Sequence, residues 1–395
     1  MRTNYKLLIK QLYYSFFKAQ GTHAHLTPRR LVTLLGAVVF YPFHHLTTRI
    51  CFVLDNVFFP GYRKQKVERP MFIIGNPRSG STFLQRLVAR DENQFTCMQT
   101  WEIYFAPTII QRKVFHFLTK IDNLFGSPLQ NMLGRWDERI LGKTHIHKMG
   151  LWEPEEDEGI FIHIWGSYFG FVAFPIPELL PPYAYFDERL PEAEKARIMG
   201  YYRECVKRHL YYHGGDKIFF AKNPYFSGKV ASVLEYFPDA EFVYLARNPL
   251  EVLPSTMTWW SFLWHVTSNP MQKYPFTDLV ADEAKYRYSY TLERLEKLPP
   301  SQNLIVKYND LVATPGRTIR DIYAHFGWKL DAPFSRIVEI ENERALNYES
   351  NNHYSLEDTG FSREFVLTEF AGVFDRFGFD RREPEGEVEL EAEVV

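Results

Sequence analysis

Met71-Phe72-Ile73-Ile74-Gly75-Asn76-Pro77-Arg78-Ser79-Gly80-Ser81-Thr82-Phe83-Leu84 starts as a short apolar strand and passes through a loop bounded by Gly75 and Gly80. It then enters a helix, because Leu84, Leu87 and Val88 fall at helical spacing. A loop that ends on a helix N-terminus offers unpaired backbone N–H groups and the positive end of the helix dipole to an anion. Gly80 lets the backbone approach that anion closely. The chemistry this suits is phosphate binding.

Gly75 and Gly80 keep the two-glycine frame of a Walker A loop, but Ser81 stands where its lysine would be. The cation is Arg78, inside the loop, with the hydroxyls of Ser79, Ser81 and Thr82 around it. A phosphate is served by this set, and a triphosphate with its magnesium is served less well. A P-loop kinase using ATP-Mg is therefore the second reading. The plainest one is a strand-turn-helix with a surface arginine.

Three more apolar segments run straight into a cation. Ile218-Phe219-Phe220-Ala221 precedes Lys222, Phe242 to Ala246 precedes Arg247, and Leu304-Ile305-Val306 precedes Lys307 and Tyr308. In an open parallel sheet the carboxyl ends of the strands share the edge where ligands bind, so four cations there call for a polyanion. Helical patterns lie between the strands, at 228–236, 250–260, 282–297 and 318–326. This predicts an α/β fold of three layers, P-loop-like, with a central mostly parallel sheet and helical insertions.

At this point Asn76 to Phe83 resembles the P-R-S-G-[ST]-T loop of bacterial-type sulfotransferases that use 3'-phosphoadenosine 5'-phosphosulfate (PAPS). The resemblance implies that Arg78, Ser79, Gly80, Ser81, Thr82 and Phe83 hold the 5'-phosphosulfate. Ala246-Arg247-Asn248-Pro249, with Ser255 eight residues on, is similar to the family's strand-R-[DN]-P segment, whose arginine and serine grip the 3'-phosphate. Taken singly, Arg247 reads equally as a structural ion-pair residue. Tyr308, in a segment like the family's Y-x-D-L, would lie beside the adenine, or else in the core. His353, in a segment similar to H-x-Y-S-L-E-D-x-G, is the nucleotide contact there, with Tyr354 where a basic residue is usual.

Transfer to a hydroxyl needs a base for its proton and cations for the leaving phosphate. Glu153 to Glu158 resembles the family's P-E-E-D segment, which makes Glu156 the first choice of base and Glu155 the second; crowded carboxylates raise one another's pKa. The alternative is a solvated acidic helix start. His145 and His147 offer another base, and their H-x-H spacing, with His163 as a distant third, points to a metal only weakly. Arg78 and Lys222 would neutralise the phosphosulfate, so PAPS is the expected donor co-substrate and no metal is called for.

The remaining residues bound these readings. The chain has 395 residues, 46% hydrophobic and 24% charged, with a net charge of −2, which argues against nucleic acid as partner. Cys51, Cys97 and Cys205 are too few and scattered for a disulfide framework, which fits a reducing, cytoplasmic setting. Residues 1–69 form a basic, apolar N-terminal extension. The apolar run Leu31 to Phe43 stops at His44 and His45, short of the ~20 residues a spanning helix needs. Residues 1–60 fit an interfacial helix on anionic lipid, at the inner face of a membrane, or a helical pair packed on the core. A non-catalytic, membrane-associated protein on this fold is a further alternative. Residues 70–380 would be the catalytic domain, with an acceptor-side insertion at 91–215 whose proline-rich stretches near 169–182 read as loop or lid. Residues 381–395 read as an acidic tail. The acceptor is a small molecule, lipid or carbohydrate bearing a hydroxyl; the sequence leaves its identity and the oligomeric state open.

Overall fold

The structure is a computed structural model that describes residues 2–140, 150–346 and 355–382. Five strands form one sheet: β1 (Met71–Gly75), β2 (Phe95–Thr96), β3 (Ile218–Lys222), β4 (Glu241–Ala246) and β5 (Asn303–Lys307). Their spatial order is β2-β3-β1-β4-β5 and every pairing is parallel. Parallel strands are covered on both faces, which is why β1 and β4 are buried at every position. Phe72, Ile74, Phe242 and Tyr244 point into one core cluster, and Met71, Ile73, Val243 and Leu245 into another. Strand alternation thus feeds two helical layers from one sheet, and the result is a three-layer α/β fold.

The register sets the site. Ile73 pairs with Lys222, Gly75 with Leu245 and Ala246 with Lys307, so the carboxyl ends of β1, β3, β4 and β5 open on one edge. The helix predicted after the loop is α3 (Ser81–Val88) in chain order, following α1 (Tyr5–Phe17) and α2 (Pro28–Phe58). The insertion adds α4 (Thr100–Tyr104) and α5 (Ile109–Leu124).

One expectation is corrected and two features are added. The apolar N-terminal run does not stop at His44: α2 continues for 31 residues through Pro42, His45 and Arg49. By length and composition it is long enough to cross a membrane. The proline-rich stretch packs onto the core: Phe171, Phe174 and Ile176 are buried and Trp264 Nε1 donates to the Phe171 carbonyl. Finally, β2 was not foreseen inside the helical insertion. Most of the acidic tail lies outside the described residues.

Candidate active site

The loop between β1 and α3 folds back over the edge of the sheet. Arg78 takes a left-handed conformation with φ of 66°, and Gly80 another with φ of 83°. Gly80 is also the N-cap of α3 and no side chain among the described residues caps that terminus, so its first N–H groups are left for the loop. A Cβ on Gly80 would lie 2.8 Å from the Tyr308 ring, so the glycine is required by both conformation and space. Ser79 is fully buried and its Oγ has no hydrogen-bond partner among the described residues. An unsatisfied buried hydroxyl beside a helix N-terminus is what a phosphate oxygen would complete. Ser81 is buried, and Thr82 and Phe83 are part-exposed.

The cations predicted for this edge separate into two groups. Arg78 Nε donates to Ser255 Oγ at 3.0 Å, and Arg247 Nη1 donates to the Arg78 carbonyl at 2.6 Å, so Arg78, Arg247 and Ser255 form one cluster. The Arg247 guanidinium lies 3.9 Å over the Tyr308 ring and pairs with Glu251 at 2.7 Å. Tyr308 is thus at the site, wedged between Gly80 and Arg247 rather than sunk in the core. Lys307, in contrast, turns away: its Nζ donates to the Phe377 carbonyl at 2.7 Å. It caps the helix Ala371–Phe377 and is not part of the edge cluster.

Lys222 leaves the end of β3 with its side chain buried and places Nζ 2.6 Å from Glu156 Oε1. The acidic segment carrying Glu156 is fastened to α3, since Gln85 Nε2 donates to the Glu155 carbonyl at 3.1 Å. The segment is not a solvated helix start. Glu155, Asp157 and Glu158 are buried, and only Glu156 of these four is part-exposed. Glu155 Oε1 accepts from the Glu156 N–H, and burial raises its pKa against the opposing pull of Lys222. Asp157 is pushed up to about 7 by burial, although Tyr202 donates to it at 2.6 Å. Glu158 pairs with the buried Lys229 at 2.6 Å. His145, His147 and His353 lie outside the described residues.

Several neighbours were not foreseen. Glu251 stands four residues after Arg247, in the first turn of the helix Pro249–Thr267 that Arg247 precedes. Gln85 carried no signal of its role. Tyr104 packs against Gly159, and burial together with Glu155, Glu156 and Glu158 drives its pKa well up. An aromatic ledge leads away from the acids: the Trp101 ring lies 6.4 Å from Trp152 and 5.5 Å from Phe115 on α5. Elsewhere Glu102, His209 and His213 bring ligand-type atoms together, and Arg112 Nε sits 3.2 Å from the same Glu102 oxygen.

Three comparisons with known proteins bear on the fold and the family. A model described as the sulfotransferase family matches residues 179–332, the span that contains Lys222, Arg247, Ser255 and Tyr308. The omega-hydroxy-beta-dihydromenaquinone-9 sulfotransferases Stf3 of Mycobacterium bovis and Mycobacterium tuberculosis are each 25% identical over 329 residues, covering 80% of this chain and 76% of theirs. Sulfotransferase STF9 from Mycobacterium avium superposes with a TM-score of 0.71 at 18% identity, over 96% of this chain and 98% of that one. Sulfotransferase STF1 from Mycobacterium tuberculosis gives 0.66 at 21%, over 93% and 92%. At those identities the two structures speak to the fold. Fold, family match and relatives all point the same way: the chain is similar to bacterial sulfotransferases over most of its length.

Proposed function

We propose that the protein moves a sulfuryl group from PAPS to the hydroxyl of an apolar small-molecule or lipid acceptor, with 3',5'-ADP as the other product. The observation that carries this is the Lys222–Glu156 pair, fastened beside the phosphate-type loop through Gln85. The donor supplies an activated sulfuryl group, and the chain supplies charge and proton handling. The amides at the start of α3, Ser79, Arg78 and Thr82 take the 5'-phosphosulfate. Arg247 and Ser255 take the 3'-phosphate, and Tyr308 offers its ring to the base.

Glu156 accepts the acceptor's proton as its oxygen bonds to sulfur, and the bond from sulfur to the 5'-phosphate oxygen breaks. Lys222 and Arg78 stabilise the charge that develops on that leaving oxygen. Lys222 is placed to do both jobs, because it already orients the carboxylate. This charge set takes the place that a divalent cation has in kinases, so no metal is routed through the step.

The ledge of Trp152, Trp101 and Phe115 supports an apolar acceptor. The substrate in the relatives' name, an omega-hydroxylated dihydromenaquinone, is an alcohol of that class. The test is incubation with sulfur-labelled PAPS and a panel of long-chain alcohols, phenols and sugars. Label transferred to an alcohol, and lost with Glu156→Gln, is the expected result. No transfer to any acceptor, together with ATP-Mg-dependent phosphorylation, would replace this reading with a kinase.

A further inference from the structure

We propose that the face built by α1, α2 and α5 lies in the plane of an anionic lipid bilayer. The argument begins with α2, whose polarity is inverted. Arg30, His45, Thr48 and Asp55 are buried against the protein, whereas Val32, Val39, Phe43, Leu46, Val53 and Val57 point outward at helical spacing. Val39 and Phe43 are 73% and 70% exposed. A helix in water turns its apolar stripe inward, so a stripe facing outward over seven turns marks a surface that something apolar covers.

The two neighbours extend it. Ile9, Tyr13 and Phe17 are exposed on α1, and Phe117, Leu118 and Leu124 on α5, with Leu124 at 83%. The charges on these three helices are one-sided. Their only carboxylates, Asp55 and Asp122, are buried and bound to backbone N–H groups at the starts of α5 and of the helix Pro128–Ile140. Lys6, Lys10, Lys113 and Lys120 are exposed. Where α2 meets the helix Glu192–Tyr212, a cavity of about 520 Å³ is lined by five arginines, Arg2, Arg49, Arg63, Arg197 and Arg208, against one carboxylate, Glu204, with Val53 of the stripe beside them. Apolar side chains ringed by an excess of cations fit acyl chains under anionic headgroups, and the cavity, with arginines outnumbering its one glutamate, is suited to a headgroup phosphate.

Geometry excludes a spanning role for α2. Near its start Arg30 donates to the Ala173 carbonyl, at its middle His45 bonds the His163 carbonyl, and near its end Asp55 pairs with Arg208. Both ends rest on one body, so the helix lies along the membrane. A second copy on this face would set like charges against one another, which favours lipid as the occupant. The ledge from Phe115 on α5 runs to Trp152, four residues before Glu156 in sequence; its use as an acceptor path rests on the proposed transfer reaction.

The test uses the full chain and sedimentation with vesicles of phosphatidylcholine alone or mixed with phosphatidylglycerol. The wild type is expected to bind the mixed vesicles at least about ten-fold more tightly, less so at high salt. Val39→Asp/Phe43→Asp, both at exposed positions, abolishes binding with an unchanged melting temperature, and Lys113→Glu/Lys120→Glu removes the preference for anionic lipid. A wild type that stays in solution with both vesicles overturns the proposal. So does a dimer that the Val39→Asp/Phe43→Asp variant dissolves in the absence of vesicle binding. Neither readout needs PAPS, so failure here and failure of the transfer reaction are separable.

Discussion

Lys222 Nζ lies 2.6 Å from Glu156 Oε1, a buried ammonium held by a part-exposed carboxylate. The pair divides binding from chemistry. Glu156→Gln keeps a hydrogen-bond acceptor for Lys222 but removes the base, so kcat should fall by about 10²-fold or more. The affinity for 3',5'-ADP, read by calorimetry, should change by less than about three-fold. Lys222→Met should weaken both. Equal loss of nucleotide affinity in Glu156→Gln would mean that the carboxylate only positions the lysine.

Arg247 is shared between the Glu251 carboxylate and the Arg78 carbonyl. If it serves a 3'-phosphate, Arg247→Ala should weaken 3',5'-ADP by about ten-fold or more and leave 5'-AMP nearly unchanged. Glu251→Gln frees the guanidinium of a competitor, and 3',5'-ADP should bind a few-fold tighter. Calorimetry with both nucleotides checks this. A parallel loss of the two in Arg247→Ala would show that the arginine merely braces the loop.

Gly80→Ala combines a left-handed backbone with a contact at 2.8 Å to Tyr308. It should cost about 1–2 kcal/mol in denaturant unfolding. Shrinking the ring in Gly80→Ala/Tyr308→Ala removes the steric part, so the double variant should lose less than the sum of the singles. Additive losses would place the two residues out of contact.

Asp157 gives a pH dependence. Its folded pKa, about 7, lies above the unfolded carboxylate value near 3.8. The folded state therefore binds the extra proton between those values, and this contribution to stability is present at low pH and lost as pH rises through about 7. Asp157→Asn keeps an acceptor for Tyr202 and removes the proton. Relative to wild type, the variant should gain stability from pH 4 to about pH 7 in urea unfolding and level off above that. A constant difference over that range would show that Asp157 is ionised in the fold.

The sheet edge was readable because four short apolar runs each end at a residue of chemical interest, and a parallel strand buried on both faces leaves that pattern. Lys307 misleads because a cation after a strand has two outlets, and the helix end at Phe377 that it caps is remote in sequence. The two residues of β2 carry too little pattern and are defined by pairing with β3. The full length of α2 was hidden because its polarity is inverted: His45, Thr48 and Asp55 look like interruptions until their buried partners are known. The acidic run shows the same limit. Composition describes a solvated segment, and only Tyr202, Lys222 and Lys229 reveal that most of it is buried and paired.

The most direct test of a PAPS site is a thermal-shift titration with 3',5'-ADP, with 5'-ADP and ATP-Mg alongside. A ligand that binds only the folded chain adds about 2.7 kcal/mol at a concentration a hundred times its Kd. The account predicts a saturable rise in Tm with 3',5'-ADP and little or none with the other two. A rise with ATP-Mg and none with 3',5'-ADP would contradict it.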